Sequence, residues 1–370
     1  MKKSKEIELS LEHPYVFKKI KLAKMISYNH SFWLNKKRYF FKYSPTQRND
    51  SGVIVGEFLV SKLCKNLGVD CVDCGYAVNK NKNFENRGVI SKSFLKQNEK
   101  AISLADIKKE EILEKFPKEL YFKMMVVFAR VCPLTVLKKG NNLTRITTNL
   151  ISKYKHNCKM LLPFDRSFIK NNMAALEYIK DNAKDKVLTL DECERRIAWF
   201  AKKHNLTVAG NIRLELQKMA IVDAITKQAD RHAGNISLIL NKKEKTLKLA
   251  PMYDNGMCEN YVEDPACKSY PQKTNCYLKL TNQDYCEIKD SSTSIFKFFK
   301  KVCSFYNNGV DKVFADIQKE LVKHNYFNMF QNEQQKSYWA DAKENYKNGI
   351  RYIAQNLNSI NSLEDGVLKQ

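Results

Sequence analysis

The sequence predicts an α+β protein of two lobes, a small strand-rich one over residues 1–95 and a larger, mainly helical one over residues 96–370. Three observations predict it. Residues 32–43, FWLNKKRYFFKY, read as an aromatic hairpin. From Ile102 onward the apolar spacing turns helical, and one strand-like pair, NISLILNKKEKTLKLAP, interrupts the helices. A chain of 370 residues, 44% of them hydrophobic, can bury a sizeable core in about two structural units. The cleft between two such lobes is the natural ligand site.

The N-terminus, MKKSKEIELSLEHPY, starts basic but continues with Glu6, Glu8 and Glu12 instead of an apolar stretch, so it does not read as a secretory signal. The hairpin follows, its turn centred on Asn35, Lys36 and Lys37, and the period of its second strand puts Arg38, Phe40 and Lys42 on one face. After TQRND, a polar stretch able to cap, apolar residues at 54, 58, 59, 63 and 67 predict a helix from Val53 to Leu67 that Gly68 closes. VDCVDCGYAVN and RGVISKSFL read as two short strands that complete the first lobe.

In the second lobe LADIKKEEILEKF, ELYFKMMVVFARV, LTLDECERRIAWFAKKH and NIRLELQKMAIVDAITKQA all have helical spacing. Two strands around the polar turn Asn241 to Lys245 come next, and beyond about residue 291 IFKFFKKVCSFY and YWADAKENYKNGIRYIAQNL return to helix. The longest apolar run, FKMMVVFARVCPL, is broken by Arg130 and is too short to span a bilayer.

Lys and Arg number 64 against 40 Asp and Glu, a formal charge of +24 that points to acidic partners, although solubility alone also accounts for it. The charges are interleaved along the chain with no basic arm, so nucleic acid is a partner that the sequence allows without requiring. Eleven cysteines at irregular spacing, with one CxxC at Cys71 and Cys74 and a loose trio at Cys267, Cys276 and Cys286, read as free thiols in a reducing cytoplasm; export as an effector stays compatible.

The chemistry concentrates in DRHAGN, residues 230–235, which lies where a helix over 211–229 ends and the second-lobe hairpin begins. Asn235 stands before the first strand and Asp254, in YDNG, follows the second. The outer ends of an antiparallel pair are neighbours, so these two side chains can share one magnesium ion. Asp230 lies on the same loop, placed to accept a proton from a hydroxyl nucleophile. Phosphoryl transfer also needs a cation on the nucleotide phosphates, for which Lys42 is the candidate, and Glu57 on the first helix can hold its ammonium. Taken singly, Lys42 also fits a solvent-facing strand lysine and Glu57 a first-turn glutamate on the helix dipole. Likewise DRHAGN fits a helix C-terminus with Gly234 as its left-handed residue.

DRHAGN, with the aspartate of YDNG 19 residues after its asparagine, resembles the catalytic and metal-binding loops of the HipA-like Ser/Thr kinases, CtkA-type members included, and more distantly those of the phosphatidylinositol 3/4-kinases. FFKY, then GEFLVSKLCKNLGV, then GVISKSF follow the order of that family's strand lysine, first-lobe helix and connecting segment, so the resemblance covers roughly residues 30–260. It implies a two-lobed protein-kinase-like fold, ATP and magnesium as cofactors, and a protein substrate with Ser or Thr acceptors. It further implies Asp230 as catalytic base, Asn235 and Asp254 as metal ligands, Lys42 as the phosphate lysine and Glu57 as its partner. Ile90, Ser91, Lys92 and Phe94 would meet adenine along the backbone, and His232, at the nucleotide site, would hold the loop together with Arg231.

There are departures from the pattern. No GxGxxG precedes Lys42, and the corresponding turn would be SYNHSFWLN; members of the HipA group also lack that motif and use a serine-containing loop, so the resemblance implies Ser27 or Ser31 as the candidate to contact phosphate or be autophosphorylated. Asn255 and Gly256 follow Asp254, so there is no phenylalanine switch. Only about 41 residues precede Lys42, too few for the extra N-terminal subdomain of HipA proteins, which favours a minimal kinase without a HipB-type partner. A lipid or small-molecule acceptor, or a non-catalytic protein that binds nucleic acid, are the alternatives; the sequence does not indicate an oligomeric state.

Overall fold

The computed structural model describes residues 15–18, 29–34, 37–43, 51–81, 84–132, 143–183, 188–228, 230–256, 278–323 and 333–367. The chain is α+β, with a small strand-rich N-terminal region and a larger helical C-terminal region. Strands β1 (Tyr15–Lys18), β2 (Asn29–Leu34), β3 (Lys37–Tyr43), β4 (Cys74–Asn81) and β5 (Phe84–Lys92) form one sheet in the order β1-β4-β5-β3-β2. Strands β2 and β3 pair antiparallel in the register Leu34 to Lys37, as the aromatic alternation predicts. Tyr39 and Phe41 are buried on one face, while Arg38, Phe40 and Lys42 line a cavity on the other.

Helix α1 (Ser51–Leu67) covers part of that cavity face. Its apolar stripe, Val55, Phe58, Leu59, Leu63 and Leu67, is buried, and Gly68, at φ +75°, ends it as expected. The next strand, β6 (Glu99–Ser103), was not anticipated. It pairs antiparallel with β9 (Ser237–Asn241), and Ser103 then caps α2 (Leu104–Glu114) in a reciprocal box with Asp106.

The helical part continues through α3 (Lys118–Val131), α4 (Leu143–Lys155), α5 (Pro163–Asn171), α6 (Met173–Ala183), α7 (Leu190–Lys203) and α8 (Ile212–Thr226). Helices α4 to α6 are not among those expected from the sequence, although Leu143, Ile146, Leu150 and Ile151 of α4 are spaced for one buried helix face. The two-residue strands β7 (Leu188–Thr189), β8 (Thr207–Val208) and β11 (Leu278–Lys279) exist only through the partners they meet. The expected second-lobe hairpin is β9 with β10 (Thr246–Leu249), its turn lying between Asn241 and Thr246. Helices α9 (Asn282–Lys289), α10 (Ser294–Lys323) and α11 (Glu333–Val367) complete the described chain.

Three expectations need correction. Helix α8 ends at Thr226, not residue 229, because Lys227 takes the left-handed conformation, φ 49°. Gly234 is therefore not a helix cap; it lies in a 3₁₀ turn, Ala233–Asn235, started by His232. Most of SYNHSFWLN is not a turn either, since Asn29–Leu34 is a strand whose backbone is fixed by the β3 ladder. Ser27, Asn35, Lys36, the TQRND stretch, Cys267 and Cys276 lie outside the described residues.

One core runs from α1 and β4 through α7, α8 and β9 to α10 and α11. A second core joins the end of α2 to α3, α4, α5 and α6. Among the described residues no helix is long and apolar enough to cross a membrane, and eight cysteines are free thiols.

Candidate active site

Near the end of β3, Lys42 points from the sheet toward α1. Its Nζ lies 2.6 Å from Glu57 Oε1 and 2.5 Å from Asp254 Oδ1, so residues 15 and 212 positions away converge on one amine. Helix α1 begins at Ser51, which puts Glu57 in the second turn; its buried carboxylate is held by Lys42 and not by first-turn dipole effects. The other oxygen, Oε2, accepts from the Asn255 backbone N–H at 3.0 Å. That approach depends on Gly56, where a Cβ would stand 3.1 Å from the Gly256 carbonyl oxygen.

Burial alone would lower the Lys42 pKa, but the charges of Glu57 and Asp254 outweigh it and hold the value above the ordinary lysine range. For Asp254 burial acts upward, and Lys42 overrides it, so the carboxyl stays below its usual value. Asp254 has φ 56°, a left-handed backbone that aspartate tolerates better than most residues.

Arg231 ties the two loops together. It is fully buried; Nε donates to Asp223 Oδ2 at 3.0 Å, Nη1 to the carbonyls of Tyr253 at 2.7 Å and Asn235 at 3.2 Å, and Nη2 to Asn255 Oδ1. Asp223 comes from the apolar face of α8, which explains a carboxylate in AIVDAIT. Gln228 makes a second bridge: Nε2 donates to the Asp254 carbonyl at 3.4 Å, and Oε1 accepts from the Asp230 N–H at 3.3 Å. Tyr253 makes a third, its hydroxyl donating to the Gly234 carbonyl at 2.8 Å.

Within DRHAGN, His232 Nδ1 accepts from the Gly234 N–H at 2.9 Å, which leaves the proton on Nε2, 3.7 Å from Asp230 Oδ1. Asn235 Nδ2 donates to the Asp230 carbonyl at 2.7 Å. The Asp230 side chain keeps 42% of its surface exposed, yet burial of the rest and the charge of Asp254 together raise its pKa against the opposing pull of His232 and Lys42. A raised carboxyl beside a cavity is the form a proton acceptor takes.

The cavity measures about 400 Å³. Its roof is the sheet face of Phe40, Lys42, Val89 and Ser91, its floor is Ser237, Tyr253 and Asp254, and Lys92 to Leu95 close one side. The sequence-derived residues thus divide into groups. Lys42, Glu57, Ser91, Lys92, Phe94 and Asp254 line the cavity. Asp230, His232 and Asn235 do not line it but are joined to its floor through Arg231, Gln228 and Tyr253. Ile90 is fully buried off the cavity, since the strand period turns Val89 and Ser91 inward instead. Exposed Ser31 is also off the cavity, accepting from Arg38 Nη2 at 3.0 Å. Gln228 and Asp223 have no role in the sequence reading, and Tyr253 and Asn255 enter it only as part of YDNG, not as bridges; for Asp223 the signal is a lone aspartate inside an apolar helical run.

The donor set suits a hard divalent cation. The Asn235 amide nitrogen is engaged on the Asp230 carbonyl, so its oxygen is the atom that could meet a cation, and Asp254 retains Oδ2 after Oδ1 meets Lys42. One amide and one carboxylate oxygen, completed by phosphate oxygens, is a common way for magnesium to be held. Among the described residues no cluster of three or more His, Cys, Asp or Glu forms a metal site by itself.

No protein-family model matches the chain, and no curated protein does. Among solved structures it is similar to the proinflammatory kinase CtkA of Helicobacter pylori at 13% identity, covering 90% of this chain and 95% of that one, with a TM-score of 0.44. It is also similar to a chain of the HipA, HipB and operator DNA complex from the Shewanella oneidensis MR-1 toxin antitoxin system, at 10% identity, 89% and 64% coverage, and a TM-score of 0.38. Both likenesses are of overall shape at low identity.

Proposed function

We propose that the protein is an ATP- and magnesium-dependent kinase that transfers the γ-phosphate to serine or threonine hydroxyls of proteins, its own included. The observation that carries this reading is the Lys42 amine shared by Glu57 and Asp254 at the wall of the cavity, with Asp230 wired to the same aspartate through Gln228. In this reading Glu57 steadies Lys42 on the α- and β-phosphates, and the base lies against the segment Lys92 to Leu95 beneath Phe40. Asp230 accepts the acceptor hydroxyl's proton as its oxygen bonds to the γ-phosphorus and the bond to the β-phosphate oxygen breaks, releasing ADP. Magnesium, held by Asn235 and Asp254, would neutralise charge on the β- and γ-phosphates. His232 and Arg231 hold the loop, and the lobes divide near residue 95.

The test is phosphate incorporation from labelled ATP into the protein and into dephosphorylated casein. Asp230→Ala and Asp254→Ala should each reduce it about 10²-fold or more while the circular dichroism spectrum persists. Undiminished incorporation in both variants would reject the assignments, and transfer to phosphatidylinositol vesicles but not to casein would reject the protein acceptor.

A further inference from the structure

We propose that Cys64 and Cys71 form a redox-responsive thiol pair that a peroxide closes into a disulfide, loosening the 254–256 loop from α1. The backbone brings the two sulfurs together. Helix α1 ends at Leu67, Gly68 takes φ +75°, and the Val69 N–H donates back to the Cys64 carbonyl at 2.9 Å, so the chain reverses over the last turn of the helix. Cys71 then pairs in parallel with Met252. The Val72 N–H donates to the Met252 carbonyl and the Met252 N–H to the Asp70 carbonyl, both at 2.9 Å. Partners in such a pair share one face of the ladder, so the Cys71 and Met252 side chains point the same way. Cys64 meets both: its Sγ lies 3.9 Å from Met252 Sδ, and its thiol is hydrogen-bonded with that of Cys71.

The two thiols have different surroundings. Cys64 is fully buried, and its hydrogen bond with Cys71, together with burial, holds it well above the ordinary thiol range. Cys71 is half-buried, and Asn255 Nδ2 donates to its Sγ at 3.5 Å. The oxidant therefore meets Cys71 first. With hydrogen peroxide, the Cys71 sulfur attacks one oxygen and the O–O bond breaks. Hydroxide leaves, takes up the thiol proton as water, and Cys71 becomes a sulfenic acid. The Cys64 sulfur then attacks the Cys71 sulfur and the S–O bond breaks. The departing hydroxide takes the Cys64 proton, so two thiols and one peroxide give one disulfide and two waters. The two electrons that the sulfurs lose are those that cleave the O–O bond. Cys74, the other cysteine of the CxxC, instead lines the cavity with Lys42 and Glu57.

The consequence reaches the candidate site. The Asn255 N–H holds Glu57 Oε2 at 3.0 Å, and its side chain is anchored by Arg231 and Cys71. Bonded sulfurs stand about 2 Å apart, closer than two thiols can approach. The bond draws Cys71 Sγ onto Cys64, and the Asn255 amide loses its sulfur partner. The inference concerns two thiols and one loop, so it stands whether or not the protein transfers phosphate.

The test treats the full chain with hydrogen peroxide, blocks the remaining thiols with iodoacetamide and maps the non-reduced digest by mass spectrometry, with hydrogen exchange followed at Asn255. Expected are a Cys64–Cys71 link two hydrogens lighter than the reduced pair, and its loss on adding dithiothreitol. The Asn255 N–H should exchange about tenfold faster in the oxidised protein, the equivalent of one lost hydrogen bond. Cys64→Ala and Cys71→Ser should each abolish the link and the faster exchange. If the first variant melts early, the second, at a half-buried position, gives the same reading. The inference is overturned if both thiols stay open to alkylation, if Cys71 links to Cys74, or if the Cys64–Cys71 link forms and exchange at Asn255 is unchanged. Oxidation of Met252 with both thiols intact would overturn it too.

Discussion

Arg231 carries a full positive charge with no exposed surface, and everything that compensates it belongs to the site: Asp223, two backbone carbonyls and Asn255. Arg231→Met should therefore destabilise the fold by about 3–5 kcal/mol, because Asp223 is left as an uncompensated buried carboxylate. Guanidinium denaturation measures this, and Arg231→Met/Asp223→Leu should recover part of the loss. If the protein is the kinase proposed above, Asp230 sets the pH dependence of its turnover. Its folded pKa is raised, so its ionised form costs stability above that pKa and the cost disappears below it, while its capacity to take a proton disappears on the same descent. Asp254, lowered, contributes stability above its unfolded value and loses it only as pH falls through its lower folded pKa. The acid limb of kcat/KM should thus lie above the ordinary aspartate range, and a limb at or below that range would identify a different base. At this scale the charged residues of DRHAGN and YDNG stand out in the sequence because their types and spacing fit what phosphoryl transfer would need. Gln228 and Asn255 were not, since bridging amides depend on where two loops meet.

The elements that position the site were read from periodicity where one face is buried. The alternation of β3 put Arg38, Phe40 and Lys42 together, and the stripe of α1 fixed its length to within two residues at its start. Strand β6 was missed because its pairing with β9 is a long-range event with no local signature, although it supplies Ala101 to the cavity wall. Helix α1 touches the 254–256 loop through Gly56, so Gly56→Val should push the two apart and loosen Glu57 from Asn255 and Lys42. Far-UV circular dichroism should hardly change, yet kcat/KM for ATP should drop about 10²-fold, the usual effect of a displacement near 1 Å at a reacting group.

Taken whole, the molecule has two cores with different duties. The main core carries α1 against α10, with Phe314 packed on Trp339 and Tyr346 of α11, so helices near the C-terminus support the element that bears Glu57. Phe314→Ala should cost about 3–5 kcal/mol and weaken nucleotide binding, whereas Phe128→Ala in the second core should cost a similar amount and leave nucleotide affinity unchanged. Paired denaturation and titration with a non-hydrolysable ATP analogue distinguish the two. The division into strand-rich and helical parts was legible from the change of hydrophobic period. The separate core of α3 to α6 was not, because which helices share a core is decided by packing among faces that look alike in sequence. The most direct test is a crystal structure with magnesium and a non-hydrolysable ATP analogue. The Lys42 ammonium should remain on Glu57 and turn from Asp254 to the α- and β-phosphates, with Asp254 and Asn235 facing the metal. A nucleotide bound elsewhere, or Lys42 still closed on Asp254 with the cavity empty, would contradict it.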